Sequence, residues 1–389
     1  MKISIIGAGI AGISTAILLK QEGYEVCIYE RNLAISDIGA GIVCWPNASF
    51  VLDKLNVLDE ISKVSGQVSF MKRFNIKEEL LNVLDIKKIN DIMNYTSYSI
   101  LRRDLMKILF DKAIELDIPI HFNHNMILIK PINTEQTQIK FENKQEVISN
   151  MVIGADGRMN SLTRAYVNGD NSPIYQGFIN WVGIVESEND LFPNLDVLDY
   201  WGTGCRFGIV PINSKKAYWA AGLTSSLIEK KDPSLYKQEI NSIFKNAPSL
   251  INEVINKTDT KDINKLYIHD HHPISTWYKN NVLLIGDCAH AALPTSGQGA
   301  CQALEDAWHL TQSLKIHKNN IQNSFEYFNK LRQKKTDSII HQGRQLASTI
   351  FNDDNTFCAQ RDEKSQNSIH VDNTIGIASF WSMDLPINI

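Results

Sequence analysis

The sequence has no excess of positive charge. Its 39 Lys and Arg stand against 43 Asp and Glu, a net charge of −4. A phosphate backbone demands a basic surface, so no nucleic-acid partner is expected. Cysteine is scarce and scattered. Cys27, Cys44, Cys205, Cys288, Cys301 and Cys358 form no C-x-x-C pair. That speaks against a zinc site and a disulfide framework, and fits a reducing, cytoplasmic compartment. There is no internal repeat and no low-complexity tract. Long hydrophobic runs are also missing, with one apparent exception at Met1 to Leu19 (MKISIIGAGIAGISTAILL). Three glycines punctuate it at regular spacing, and a polar helix end and a second strand follow. It therefore reads as folded structure, not as a signal peptide or a membrane span. With 43% hydrophobic and 21% charged residues the chain is globular rather than disordered. Its 389 residues suggest two or three domains at roughly 150 residues each.

What is present begins with a β-α-β unit. Lys2 to Ile6 is a buried strand, Gly7 to Gly12 a turn, Ile13 to Gln21 a helix and Glu25 to Tyr29 a second strand ending in Glu30. This order predicts an α/β fold with a parallel sheet. Asn47 to Val64 and Arg102 to Leu116 read as helices. Pro119–Phe122, Met126–Ile129, Gln138–Phe141 and Met151–Gly154 read as strands. From about Ile174 to His272 strand-like runs recur (Phe178–Val185, Cys205–Val210, Ala217–Leu223), with a helix at Tyr236–Phe244. That texture predicts an antiparallel sheet with attached helices. Val282–Ile285 returns to a buried strand, and helices are expected at Gly299–Leu314 and from Ile321 to Ala347. Residues 351–367 read as a polar loop, and Thr374 to Ile389 as a packing tail.

Three elements carry chemistry. In Gly7-Ala8-Gly9-Ile10-Ala11-Gly12, Gly7 allows a tight turn, Gly9 lets a diphosphate approach the backbone, and Gly12 lets helix and strand pack closely. Glu30 lies where a carboxylate accepts the ribose hydroxyls of an adenosine. Next, Gly154-Ala155-Asp156-Gly157 ends a strand in an Asp-Gly turn, with Ser161 and Arg164 behind it. Last, Gly286-Asp287-Cys288-Ala289-His290 follows a buried strand and leads to Pro294-Thr295-Ser296-Gly297-Gln298-Gly299. There a helix start can stabilise developing negative charge.

In this order and at these separations, the three elements resemble those of the single-component FAD-dependent aromatic hydroxylases, the p-hydroxybenzoate hydroxylase-like flavoprotein monooxygenases. The resemblance covers about residues 1–345. Gly39-Ala40-Gly41-Ile42, Trp45-Pro46-Asn47-Ala48 and Arg102 in Arg-x-Asp-Leu support it. Phe178 to Glu186 is similar to the substrate-domain strand of the urate hydroxylase and salicylate hydroxylase-like branch. The resemblance implies a Rossmann-like FAD-binding domain, an inserted antiparallel-sheet substrate domain and C-terminal helices. The expected parts are residues 1–72, 99–170 and 274–349 for FAD binding, 73–98 and 171–273 for the substrate domain, and 350–389 for a C-terminal tail.

It also implies roles. Gly7, Gly9, Ile10, Ala11 and Gly12 would hold the FAD diphosphate, and Glu30 and Arg31 its adenosine end. Gly41 and Arg102 would meet the ribityl and phosphate region. Asp156 and Gly157 would serve FAD and a transient NADPH or NADH, and Gly286 and Asp287 the ribityl chain. Pro294, Gly297, Gln298, Gly299 and Ala300 would line the isoalloxazine. Arg206 and Tyr218 fall where the urate hydroxylases place an Arg and a Tyr at the substrate, though either could serve packing alone. The implied reaction transfers oxygen from O2, through a flavin C4a-hydroperoxide, to a small aromatic or heteroaromatic molecule. The enzyme would be a monomer or homodimer without metal. Alternatives are a tetracycline-inactivating monooxygenase and a flavin reductase without oxygen transfer.

Two departures stand out. Ser161 and Arg164 lie five and eight residues after Asp156, one more than is usual. Thr295-Ser296 stand where urate hydroxylases carry an acid, which weakens urate as substrate. His290, the His269-Asp270-His271-His272 cluster, Trp45 and Trp181 admit structural as well as functional readings.

Overall fold

The computed structural model describes residues 1–35, 40–226, 228–229 and 231–389. Gly39 of the Gly39-Ala40-Gly41-Ile42 segment lies outside the described residues. The first strand, Lys2–Ile6, is buried from Ile3 onward. The one polar residue of that buried stretch, Ser4, is satisfied by the Ser149 hydroxyl. The strand sits inside a six-stranded sheet in the order Tyr278–Lys279, Val282–Leu284, Met151–Gly154, Lys2–Ile6, Glu25–Tyr29, Ile120–His121. All neighbours are parallel except the first pair. The helix Ile10–Gln21 is buried at every position from Ile10 to Leu19. It packs against the helix Gly299–Ile316 and needs no polar stripe there.

A second sheet has seven strands: Asn264–Asp270, Ile174–Glu186, Lys216–Thr224, Cys205–Asn213, Val197–Trp201, Phe70–Asn75 and Leu80–Asp85. Only Val197–Trp201 and Phe70–Asn75 run parallel to each other. One face buries Trp181, Phe207, Trp219 and Phe244 with the helices Tyr236–Ile243 and Ser249–Lys257. Side chains alternate along a strand. Asn180, Asp199, Trp201, Arg206, Gly208, Tyr218 and Ala220 therefore share the opposite face. Trp181, which admitted both readings, points to the helical side and packs in that core.

Other expectations are corrected as well. Residues 351–367 are not a loop, because Asn355–Asn367 is a helix whose first turn is capped by Asp354 accepting from Phe357 N at 2.8 Å. Its buried residues are only Cys358 and Arg361, so no apolar stripe announces it. Thr374 to Ile389 contains the helix Thr374–Trp381. Asn47 to Val64 is two helices, Pro46–Lys54 and Leu58–Val64, parted where Asn56 takes a left-handed φ of 56°. Among the described residues no helix is long and apolar enough to cross a membrane.

Candidate active site

Four adjacent parallel strands end side by side, and each ends in a motif singled out above. In spatial order these are Asp287, Asp156, Gly7 and Glu30. Neighbouring strands lie about 4.8 Å apart, so the row spans roughly 14 Å, the scale of a dinucleotide. Backbone hydrogen bonds lock the row: Ile285 N to Gly154 O at 2.9 Å, Ala155 N to Ile6 O at 2.8 Å, and Gly7 N to Tyr29 O at 2.8 Å. Gly7 has φ +110°, and a Cβ there would strike the Ala155 carbonyl. A Cβ on Gly12 would strike the Gly7 carbonyl, whereas one on Gly9 meets nothing within 4 Å. Gly7 and Gly12 therefore serve close packing, and Gly9 keeps open ground before the helix N-terminus. Glu30 is only 8% exposed. Its carboxylate accepts from Ala8 N at 2.8 Å and Asn32 N at 2.9 Å, which fixes the glycine loop and leaves lone pairs for hydroxyl donors. Arg31 beside it is exposed.

Asp156 spends its carboxylate on its own loop and on the Gly-Asp loop. It accepts from Ser161 Oγ at 2.7 Å, Cys288 Sγ at 3.0 Å and the Thr163 hydroxyl. Ser161 in turn caps the helix Leu162–Asn168 by accepting from Arg164 N at 2.9 Å. The longer Asp-Gly loop thus keeps its cap. Arg164 is 2% exposed. It donates to the carbonyls of Cys288 at 2.8 Å, Ala289 at 3.2 Å and His272 at 3.2 Å. It ties the Asp-Gly loop to the Gly-Asp loop.

Asp287 lies at the start of a short helix and accepts from Arg158 Nη1 at 3.1 Å. Arg102 lies within electrostatic reach of both. Arg102 Nε and Arg158 Nε are buried without a partner among the described residues. Buried guanidinium donors call for an acceptor. Arg158 was not singled out from sequence, although it directly follows Asp156-Gly157.

The third motif leads to the helix start at Gln298 and Gly299. Gln298 is buried, and its Oε1 accepts from Asn47 Nδ2 at 3.0 Å. Gln298 Nε2 and Asn47 Oδ1 have no partner among the described residues. One buried donor and one buried acceptor thus stand together, as the pyrimidine edge of a flavin would require. Behind them lies a charged network that sequence reasoning missed. Glu305 and Asp306 are both fully buried. Arg332 donates to Asp306 Oδ1 at 2.8 Å and Glu305 Oε2 at 2.6 Å, and Lys335 to Glu305 Oε1 at 2.8 Å. Asp306 also accepts from Gly286 N at 2.7 Å and His290 Nε2 at 2.6 Å. His290 is thereby tied into this network through its Nε2.

His309 lies in the same region. Burial first, and then Arg332, push its pKa down to about 3. A histidine kept neutral in the fold but titrating near 6.5 when unfolded stabilises fully above pH 6.5. That contribution is lost as pH falls from 6.5 toward 3, by about 1.4 kcal/mol per pH unit. The melting temperature of His309→Phe is expected to depend less steeply on pH over that range than that of the wild type. Parallel curves would show that another group sets the acid limit.

Tyr218 and Arg206 lie on the face of the seven-stranded sheet turned away from the helices Tyr236–Ile243 and Ser249–Lys257. Arg206 pairs with Gly222, Gly208 with Ala220 and Val210 with Tyr218. Two small residues therefore lie between the two candidate side chains. The Tyr218 ring rests on Gly41, where any Cβ would strike it. Gly41 thus gives the tyrosine room. Burial, then Cys44 and Cys301, push the Tyr218 phenol above its usual range. Cys301 follows Gly299 and Ala300 at the helix start. The rings of His269 and His271 meet the carbonyls of Tyr267 at 2.8 Å and Arg158 at 2.7 Å. Among the described residues no group of three or more His, Cys, Asp or Glu is placed to hold a metal.

Comparison with known proteins agrees with this geometry. A FAD-dependent urate hydroxylase of Mycolicibacterium vanbaalenii is 27% identical over 348 residues, covering 89% of this chain and 87% of its own. The crystal structure of Klebsiella pneumoniae HpxO with FAD and uric acid superposes with a TM-score of 0.89 at 22% identity, covering 98% of this chain and 96% of its own. The tetracycline destructase Tet(55) has the same fold, with a TM-score of 0.73 at 21% identity, covering 99% of this chain and 98% of its own. The sequence profile described as FAD binding domain matches residues 1–325. The chain therefore belongs to the FAD-binding-domain family of flavoprotein monooxygenases.

Proposed function

We propose that the protein is an NAD(P)H- and O2-dependent monooxygenase that hydroxylates a small aromatic or heteroaromatic substrate. The observation that carries this reading is the placement of Tyr218. It is wedged on Gly41 near the Gly299 helix start, with Arg206 on the same sheet face. Gly7, Gly9, Ile10, Ala11 and Gly12 would hold the FAD diphosphate, Glu30 and Arg31 the adenosine end. Arg102, Arg158, Gly286 and Asp287 would hold the ribityl and phosphate region. Pro294, Gly297, Gln298, Gly299, Ala300 and Asn47 would line the flavin ring. The chemistry supplied by bound FAD is hydride uptake from NAD(P)H and, with O2, delivery of an electrophilic oxygen.

The chain's residues would do the rest. Tyr218, kept protonated by burial, donates a hydrogen bond to a ring oxygen of the substrate. Arg206 holds an anionic substituent. The positive end of the Gly299–Ile316 helix stabilises negative charge that develops on the flavin edge. Asp156 and Gly157 keep the Asp-Gly loop in shape for FAD and the passing nucleotide. Among the described residues no cluster of Arg or Lys singles out a 2′-phosphate, so either NADH or NADPH fits this reading.

The experiment follows NADH and NADPH oxidation, oxygen uptake and peroxide against phenolic acids, purines and tetracyclines. Stimulation by a small ring compound, with a product heavier by one oxygen, is the expected result. In Tyr218→Phe the turnover is expected to fall about tenfold or more while FAD content is unchanged. Turnover with tetracyclines alone, or anaerobic turnover without oxygen in the product, would overturn the reading.

A further inference from the structure

Arg206 is not a free side chain. Its Nε donates to Asp199 Oδ1 at 2.5 Å, and Asp199 is 1% exposed. Among the described residues this is its only hydrogen bond. Both Nη groups are left over, and Nη2 lies 3.7 Å from where a Cβ on Gly208 would stand. The guanidinium is therefore laid over the glycine, on the side from which the strand continues toward the partner of Tyr218. The second Asp199 oxygen accepts from Trp201 Nε1 at 2.8 Å and pairs with Arg73 Nε at 3.6 Å. Arg73 lies over the Trp201 ring, 3.9 Å from its centroid. Register places Arg73 directly opposite Asp199, and Trp201 directly opposite Arg206. Two guanidiniums thus share one buried carboxylate, which leaves a positive charge uncompensated.

We propose that Asp199 is a positioning residue that clamps Arg206 across Gly208, and that Arg73 keeps the clamped pair cationic, so that this face selects an aromatic substrate bearing an anionic group such as a carboxylate or an acidic enol. The inference rests on the reading that Arg206 faces the substrate. It adds what holds Arg206 there and which charge the site prefers.

The test titrates the FAD-loaded enzyme with 3-hydroxybenzoate and with its neutral amide, read by perturbation of the flavin spectrum. The wild type is expected to bind the acid about tenfold or more tightly than the amide. Arg206→Gln is expected to abolish that preference. Asp199→Asn gives the decisive sign. If Asp199 were only a background charge, removing it would make the site more positive and tighten acid binding. A positioning role predicts the opposite, about tenfold weaker acid binding with unchanged amide binding and FAD content. Arg73→Gln is expected to weaken acid binding severalfold.

Loss of preference in Arg206→Gln with unaltered or tighter acid binding in a fully FAD-loaded Asp199→Asn would overturn the positioning role and leave the reading of Arg206 intact. Should Asp199→Asn lose FAD, Arg73→Gln decides, and unchanged acid binding there overturns the inference. If the wild type binds acid and amide alike or neither, or if Arg206→Gln changes nothing, the reading of Arg206 fails and takes the inference with it.

Discussion

Gly12→Ala is expected to be isolated with little or no FAD and with reduced stability, whereas Gly9→Ala folds normally and loses only affinity. The two glycines are three residues apart in one motif, yet their surroundings differ in kind. A Cβ on Gly12 would overlap the carbonyl oxygen of Gly7, and Gly7 has no way to retreat. Its φ of +110° is closed to other residues, and its own Cα faces the Ala155 carbonyl. Relief requires moving the turn away from the helix, and overpacking of this sort costs about 3 kcal/mol. At Gly9 an added methyl meets no protein atom, so the fold does not oppose it. The methyl would instead occupy the ground where a diphosphate meets the helix N-terminus. A loss of about 2.7 kcal/mol there raises Kd for FAD about a hundredfold. The flavin-to-protein absorbance ratio and a thermal melt separate the cases. A Gly9→Ala protein with full flavin content would remove the glycine loop from the FAD site.

The motifs on the parallel sheet were legible because each is local. A strand, a glycine turn and a helix are contiguous in residues 2–21, and the acid at residue 30 follows within one β-α-β unit. Spacing alone therefore placed Gly7 and Glu30 at strand ends and Gly12 at the helix start. The same holds for Asp156 and Asp287, whose strands Met151–Gly154 and Val282–Leu284 are short apolar runs. What escaped depends on contacts remote in sequence. Asp199 lies on Val197–Trp201, whose few residues mix Asp with aromatics and show no clean alternation. Its significance comes from Arg73, which reaches it only across a parallel strand pair. Asn47 meets Gln298, and Gln298 is set by a helix 251 residues further on. The helix Asn355–Asn367 escaped for a different reason. Its polar face surrounds it almost completely, and its start is marked by a single capping Asp.

Arg332→Met is expected to be among the most destabilising single substitutions in the protein. Arg332, Glu305 and Asp306 are all fully buried, and Arg332 touches both carboxylates. Burial by itself pushes the Asp306 pKa up, but His290 and Arg332 outweigh it and hold it at about 2. Without Arg332 both acids lose a cation in a place water cannot reach. Lys335 still serves Glu305, but Asp306 keeps only His290 and the Gly286 amide. Removing one partner of a buried pair costs about 3–5 kcal/mol. The unfolding entropy of a 389-residue chain is large, so each kcal/mol moves the midpoint by only about 1 °C, and a fall of about 3–5 °C is expected. Lys330→Met, on the exposed side of the same helix, should shift it by less than about 0.5 °C. Asp306 cannot simply be made apolar to compensate, because Gly286 N would then lose its acceptor in the loop that carries Asp287. The network therefore joins stability to the loop proposed to hold FAD. Arg332→Met should also release FAD more readily on dilution than Lys330→Met does. A lowered midpoint with unchanged FAD release would show that the network supports the helices and does not reach the loop.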